Sequence, residues 1–243
     1  MQCWTVTDPG RVRTQNQDAC KTERLNRTAL LCVVCDGMGG AKSGNIASTL
    51  AADVFTQAVT ASYKSSMDQT KIDELLRSAI KLANFTVYDQ AQTFADFDGM
   101  GTTLVAILVH GKQATVVNVG DSRVYHIGTE GIRQVTRDHS LVQMMIDRGE
   151  LTPQQGKSYP GKNMITRAVG TEAVVQCDLF HLELDRGDSL LACTDGLSNL
   201  VDEQEILFEV VYYEDKKQCC QHLLQIALDR GAPDNVTCAL VQI

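Results

Sequence analysis

The chain has 243 residues, 44% of them hydrophobic and 21% charged, with a net charge of −8. That length fits one large domain or two small ones and can bury a core without disulfide or metal staples. The acidic balance speaks against a nucleic-acid ligand or an anionic membrane surface, since both need a basic face.

The N-terminal MQCWTVTDPGR has no basic segment followed by an apolar one, so no secretory signal is read there. The apolar run Leu104–Val109 falls far short of the ~20 residues of a membrane helix. Both features point to the cytoplasm. Gln2–Val6 reads as a strand and Ala29–Cys35 as a buried one. Ile46–Ser62 carries Ile46, Leu50, Ala51, Val54, Phe55 and Ala58 on one stripe. Ile72–Gln92 repeats the pattern with Leu75, Leu76, Ala79, Ile80, Ala83, Val87 and Ala91. Both are amphipathic helices.

Thr103–Val109, Gln113–Val119, Arg123–Ile127 and Gly131–Val135 follow as strands joined by short turns, which implies antiparallel pairing. Thr136–Gly170 mixes short helical pieces with Gly149, Pro153, Gly156, Pro160 and Gly161; so long an irregular insert reads as a functional lid. Strands at Val175–Glu183 and Ser189–Cys193, helices at Asp202–Val211 and Lys216–Asp229, and a strand at Val236–Val241 complete the order. No linker composition interrupts it, so residues 1–243 read as a single domain. The predicted class is α+β: an antiparallel β-sandwich flanked by helix pairs on both faces, an αββα four-layer arrangement.

Nine cysteines leave at least one unpaired. Cys32 and Cys35 form a CxxC, but inside an apolar strand and with no second pair downstream, so they read as small core fillers rather than a zinc or redox site.

The chemistry lies in the placement of aspartates. Asp36 ends an apolar run in VVCDGMGG, Asp121 follows a strand in VVNVGDSR, Asp195 another in LLACTDGLS, and Asp234 opens the last strand in APDNVT. Asp18 lies in RTQNQDA. Each alone is explained by the turn preference of Asp-Gly and its neighbours. Together, at strand ends that converge in one sandwich, they form a set of carboxylates that repel one another unless a cation sits among them. Hard oxygen donors suit Mg²⁺ or Mn²⁺, and two such ions can ionise a water that attacks a phosphoester. Arg13, five residues before Asp18, could clamp phosphate oxygens, or could simply be a solvated surface arginine.

Eight segments then appear in an order that resembles the metal-dependent serine/threonine protein phosphatases of type 2C, in their short bacterial form. They are RTQNQD (13–18), DGMGG (36–40), GMGTT (99–103), VGDSR (119–123), TRDHS (136–140), ITRAVG (165–170), TDGL (194–197) and PDNVT (233–237). The resemblance implies metal-dependent hydrolysis of phosphoserine and phosphothreonine in proteins, by water ionised at a binuclear Mn²⁺/Mg²⁺ site, with no phospho-enzyme. It assigns Asp36 to bridge both metals, the Gly37 carbonyl to the second, Asp195 and Asp234 to the first, and Asp18 to the neighbourhood of the second, directly or through waters. Asp121 with Asp195 would bind a third, weaker ion, and Arg13 the substrate phosphate. Thr136–Gly170 corresponds to the family's flap.

Two residues depart from the pattern. Gln17 stands where many members have Glu, which would leave the second metal one charged ligand short. Met38 stands where eukaryotic members have a proton-donating His, and a thioether cannot donate. His139 is an alternative donor, although a flap-anchoring role suits it better. The resemblance also implies phosphoprotein partners, a bacterial Ser/Thr kinase to oppose and a forkhead-associated protein as a substrate. A monomer is expected. A member that binds phosphoproteins without hydrolysing them, and one serving a sigma-factor partner-switching pathway, are the competing readings.

Overall fold

Apolar side chains on both faces of several strands require cover on two sides, and the structure supplies it. The computed structural model describes residues 1–243, with the side chains of residues 41 and 42 outside the described set. The strands are β1 (Gln2–Asp8), β2 (Asp18–Arg24), β3 (Ala29–Met38), β4 (Gly101–Thr102), β5 (Leu104–His110), β6 (Gln113–Val119), β7 (Arg123–Gly128), β8 (Gly131–Gln134), β9 (Asp178–Glu183), β10 (Ser189–Cys193) and β11 (Val236–Gln242). The helices are α1 (Gly40–Ser62), α2 (Gln69–Thr93), α3 (Leu141–Asp147), α4 (Pro153–Gly156), α5 (Asp195–Ser198), α6 (Glu203–Tyr212) and α7 (Lys216–Asp229).

One sheet has the order β1-β11-β10-β7-β8 and the other β2-β3-β5-β6-β9, with β4 pairing β3 off the main path. All pairings are antiparallel. Alternation along each strand feeds two core layers. Cys32, Val34, Val105 and Ile107 meet Leu190, Ala192, Ala239 and Val241 between the sheets. Leu31, Val33, Cys35, Ala106 and Leu108 face the other way, against Phe55, Leu76, Ile80 and Val87 of α1 and α2. Tyr125, Leu191, Cys193 and Leu240 pack on Ile206, Val210, Cys219 and Leu223 of α6 and α7. This is the α+β sandwich with a helix layer on each face. Cys32 and Cys35 are buried free thiols.

The structure departs from the sequence expectation in three places. β2 reads DACKTER and has too little apolar pattern to announce itself, yet it pairs with β3 along its whole length as the edge strand of its sheet. α1 begins at Gly40, before the apolar stripe at Ile46, because the DGMGG turn feeds directly into it. The strand read as Val175–Glu183 starts only at Asp178; residues 171–177 run without regular structure. The insert at 136–170 holds two short helices, is closed on itself by the bridge Ser140↔Ile165 and is tied back to the sandwich by Thr102↔Val169. Ion pairing anchors its start: Arg123 donates from Nε and Nη2 to the Asp138 carboxylate at 2.7–3.1 Å.

Ile107 is fully enclosed between the two sheets. Ile107→Ala is expected to lower unfolding free energy by about 2–5 kcal/mol through lost burial and a residual cavity. Urea denaturation of both proteins checks this, and a loss under about 1 kcal/mol would show that the layer repacks freely.

Candidate metal centre

The two sheets bring their loops to one end of the sandwich, where a cavity of about 510 Å³ opens; Arg13, Asp36, Gly37, Asp121, Asp195 and Asp234 line it. Five of the expected site aspartates reach this end from different elements. Asp36 lies near the end of β3, Asp121 in the β6–β7 turn, Asp195 at the first residue of α5 and Asp234 just before β11. Asp18 opens β2 directly opposite Asp36 in the β2–β3 register. Asp18 is not among the residues lining the cavity; it faces Asp36 across the strand pair.

Backbone hydrogen bonds aim these groups. Asp36 is held by GMGTT: its N–H donates to Thr103 Oγ1 at 2.9 Å, and its carbonyl accepts from Thr103 N–H at 2.9 Å and from Thr102 Oγ1 at 2.8 Å. Gly37 packs so closely against α1 that a Cβ there would lie 2.0 Å from the Gly44 carbonyl oxygen. Only glycine lets this turn approach the helix, which keeps the Gly37 backbone at the cavity wall.

Asn235 organises the remaining loops. It is buried; its Oδ1 accepts from Gln17 N–H at 2.8 Å, and its Nδ2 donates to the carbonyls of Pro9 and Gln15 at 3.0 and 2.9 Å. The sequence reading missed this residue. The signal was an Asn beside Asp234 that had to be satisfied if buried.

The electrostatics are those of crowded like charges. Burial, then repulsion from Asp195 and Asp234, pushes Asp18 up to about 7 despite the Thr194 hydroxyl that donates to Asp18 Oδ2 at 3.0 Å. Asp121 is likewise pushed up to about 7, by burial and then by Asp195 and Asp138. Asp36 rises through burial and through Asp18, Asp195, Asp121 and Asp234. Asp195 rises through burial and Asp234. Among the described residues, Arg13 Nη2 donates to Asp234 Oδ2 at 2.9 Å on the open rim, and the Arg123 guanidinium draws Asp121 and Asp195 down against the larger raising effects.

Asp18 Oδ1 is buried with no hydrogen-bond partner, an arrangement that costs free energy in any folded protein unless a ligand or water answers it. Hard oxygen donors, an orphaned carboxylate oxygen and mutual repulsion fit a divalent oxygen-loving cation. Among the described residues no three His, Cys, Asp or Glu side chains close on one point as a finished cage. The carboxylates line an open wall, which suits an ion that keeps several of its waters.

Three other residues are placed by the structure. Gln17 Nε2 donates to the Gly40 carbonyl at 2.8 Å, so its amide braces the DGMGG turn, a bond a carboxylate could not make. Met38 lines the cavity and offers no proton. His139 is buried outside the cavity lining. Its Nδ1 accepts from Gly120 N–H at 3.0 Å and its Nε2 meets Asp178 Oδ2 at 3.1 Å. Burial lowers its pKa despite Asp178. His139 is thus a brace between the insert and the loop that carries Asp121, not a proton donor to the cavity.

A sequence profile described as Protein phosphatase 2C matches residues 11–225. The chain is 34% identical to the serine/threonine phosphatase stp of Listeria monocytogenes, over 97% of this chain and 93% of that protein. Among solved structures it superposes with TM-score 0.93 on serine/threonine phosphatase Stp1 from Staphylococcus aureus, at 38% identity, covering 100% of this chain and 94% of that one. It also matches a catalytic domain of phosphatase PstP solved with two manganese ions, with TM-score 0.84 and 30% identity, over 98% and 96% of the two chains.

A pH dependence follows from the raised aspartates. Asp18 and Asp121 sit near 7 in the fold against an ordinary 3.8. Between those values the native state holds more protons than the unfolded chain, so metal-free stability falls as pH rises from about 4 to about 7. Cation binding requires the carboxylates ionised and releases those protons, so stabilisation by metal grows over the same window. The expected result is a larger Tm difference between Mn²⁺ and EDTA at pH 8 than at pH 5.5, with a smaller difference at pH 8 in Asp18→Asn. A gap independent of pH would contradict the reading.

Asn235→Ala, which strips partners from the backbone of Gln17, Pro9 and Gln15, is expected to cost at least about 2 kcal/mol and to weaken Mn²⁺ binding measured by calorimetry. Unchanged affinity would remove Asn235 from the site's support.

Proposed function

The chain belongs to the protein phosphatase 2C family, and from that premise we propose that it hydrolyses phosphoserine and phosphothreonine in proteins at a binuclear manganese or magnesium centre in the aspartate cavity. It is a protein-serine/threonine phosphatase. The observation that carries the finer reading is the set of crowded, pKa-raised aspartates with Asp18 Oδ1 buried and unanswered. The relative solved with two manganese ions supports it.

In this reading residues 1–243 form one catalytic domain and 136–170 its flap. Asp36, the Gly37 carbonyl, Asp195 and Asp234 would hold the two ions. Asp18 would act near the second ion, directly or through waters, and Asp121 with Asp195 would hold a third, weaker one. Bound there, divalent cations supply a water-derived hydroxide and neutralise phosphate charge.

The chain's own residues do the rest. Arg13 stands at the cavity rim with a planar fork of donors suited to two phosphate oxygens. Thr102, Thr103 and Asn235 hold the ligand-bearing backbone so that little reorganisation accompanies turnover. Met38 cannot protonate the departing Ser or Thr oxygen, and His139 has both nitrogens engaged, so that proton comes from water. Gln17 braces the turn after Asp36 in place of supplying a charged ligand.

Substrates in this proposal are phosphoproteins made by a bacterial Ser/Thr kinase, a forkhead-associated protein among them. Among the described residues no helix is long and apolar enough to cross a membrane, and we place the working protein in the cytoplasm as a monomer.

The test is hydrolysis of a phosphothreonine peptide by purified protein. Turnover is expected with Mn²⁺ or Mg²⁺, none with EDTA, and a fall of about a hundredfold or more in Asp36→Asn. Metal-independent turnover, or full activity in the variant, would overturn the proposal. Phosphopeptide binding without hydrolysis at any metal level would favour the non-hydrolytic reading.

A further inference from the structure

A second groove, of about 500 Å³, adjoins the aspartate cavity: Met38 and Ile165 line both. Its other walls include Ala168, Val174 and Val175, with Glu172 among the lining residues. The chemistry proposed for the first cavity makes no use of it.

The groove is built rather than loose. The segment carrying Glu172, Val174 and Val175 has no regular structure of its own, yet it is pinned to α2. Asn84, buried on that helix, donates from Nδ2 to the Glu172 carbonyl at 2.9 Å and the Ala173 carbonyl at 3.3 Å, and accepts from Gly170 N–H at 2.8 Å. Arg77 from the same helix donates to the Cys177 carbonyl at 3.1 Å.

The polar groups of the groove are unequal. Arg167 donates to Asp178 Oδ1 at 3.0 Å and meets His139 Nε2 at 3.1 Å, so its charge is matched inside the fold. The Glu172 side chain is exposed and makes no ion pair or side-chain hydrogen bond among the described residues. The groove thus offers an aliphatic and thioether wall ending at a free carboxylate. An occupant with a long apolar stem and a cationic head meets both features: the stem packs on Val174, Val175 and Met38 while the head reaches Glu172.

We propose that this groove binds an arginine or lysine of the substrate polypeptide, close in sequence to the phosphorylated residue, and that Glu172 sets that preference. The inference rests on the phosphatase reading above. Adjacency to the aspartate cavity fixes the occupant as part of the same extended chain whose phosphate lies among the aspartates. An extended strand advances ~3.3 Å per residue, so the basic residue falls within a few positions on one side of the phosphate.

The experiment uses the Mn²⁺-loaded protein and a series of phosphothreonine peptides in which one arginine is walked through an otherwise alanine and glycine background. At one flanking position kcat/KM is expected to rise by about threefold to fivefold over the arginine-free peptide, the range a partly exposed ion pair supplies. The gain is expected to vanish in Glu172→Gln and to pass to an aspartate peptide in Glu172→Lys. Equal rates across the series, or a gain that survives in Glu172→Gln, would overturn the groove assignment alone. No turnover of any peptide by the loaded wild-type protein would instead overturn the phosphatase reading, and the groove assignment with it.

Discussion

Asp18 and Asp36 stand directly opposite each other across the β2–β3 pair. Two carboxylates in that position repel, and a sheet that has them is less stable than one without. The fold adds Asp121, Asp195 and Asp234 to the same end and sets the Arg13 guanidinium at the rim. Such a concentration of buried like charge persists only where the rest of the structure is strong enough to hold it and a counter-charge can enter. The three apolar layers supply the strength. The Asn235, Thr102 and Thr103 hydrogen bonds turn that strength into direction, fixing backbones so that the carboxylates cannot move apart.

The same logic organises the periphery. The insert at 136–170 is attached where it matters for the site. Arg123–Asp138 ties its first turn to β7. His139 clasps the loop bearing Asp121 by exchanging bonds with Gly120 through both backbone and ring. Val169 pairs with Thr102, which in turn holds the Asp36 carbonyl. Movement of the insert therefore acts on the backbones of Asp36 and Asp121 through short chains of hydrogen bonds. The groove beside it shares Met38 and Ile165 with the aspartate cavity.

Much of this was legible in the sequence. Helical stripes at Ile46–Ser62 and Ile72–Gln92 and the apolar runs at Ala29–Cys35 and Leu104–Val109 marked the layers, and four of the strand-end aspartates that drew attention line one cavity. β2 was not legible, because DACKTER is an edge strand whose residues pattern with solvent. The pairing of β1 with β11, the two ends of the chain, was not legible either, since register between distant segments leaves no local trace. Asn235 drew no attention in the sequence, and only its contacts to Gln17, Pro9 and Gln15 show its role. Gln17 looked like a missing ligand; the structure gives its amide a bond to the Gly40 carbonyl that a glutamate could not make. Asp18 was expected near the second metal, directly or through waters, and stands across the strand pair from Asp36 outside the cavity lining.

The account stands on a cation answering the aspartate cluster. The direct measurement is a crystal structure of the protein grown with Mn²⁺, read by anomalous scattering at the manganese edge. The account expects two strong peaks in the cavity sharing the Asp36 carboxylate, with Asp195 and Asp234 on one of them and the Gly37 carbonyl on the other. An empty cavity at millimolar Mn²⁺, or a lone peak that Asp36 does not touch, would contradict it.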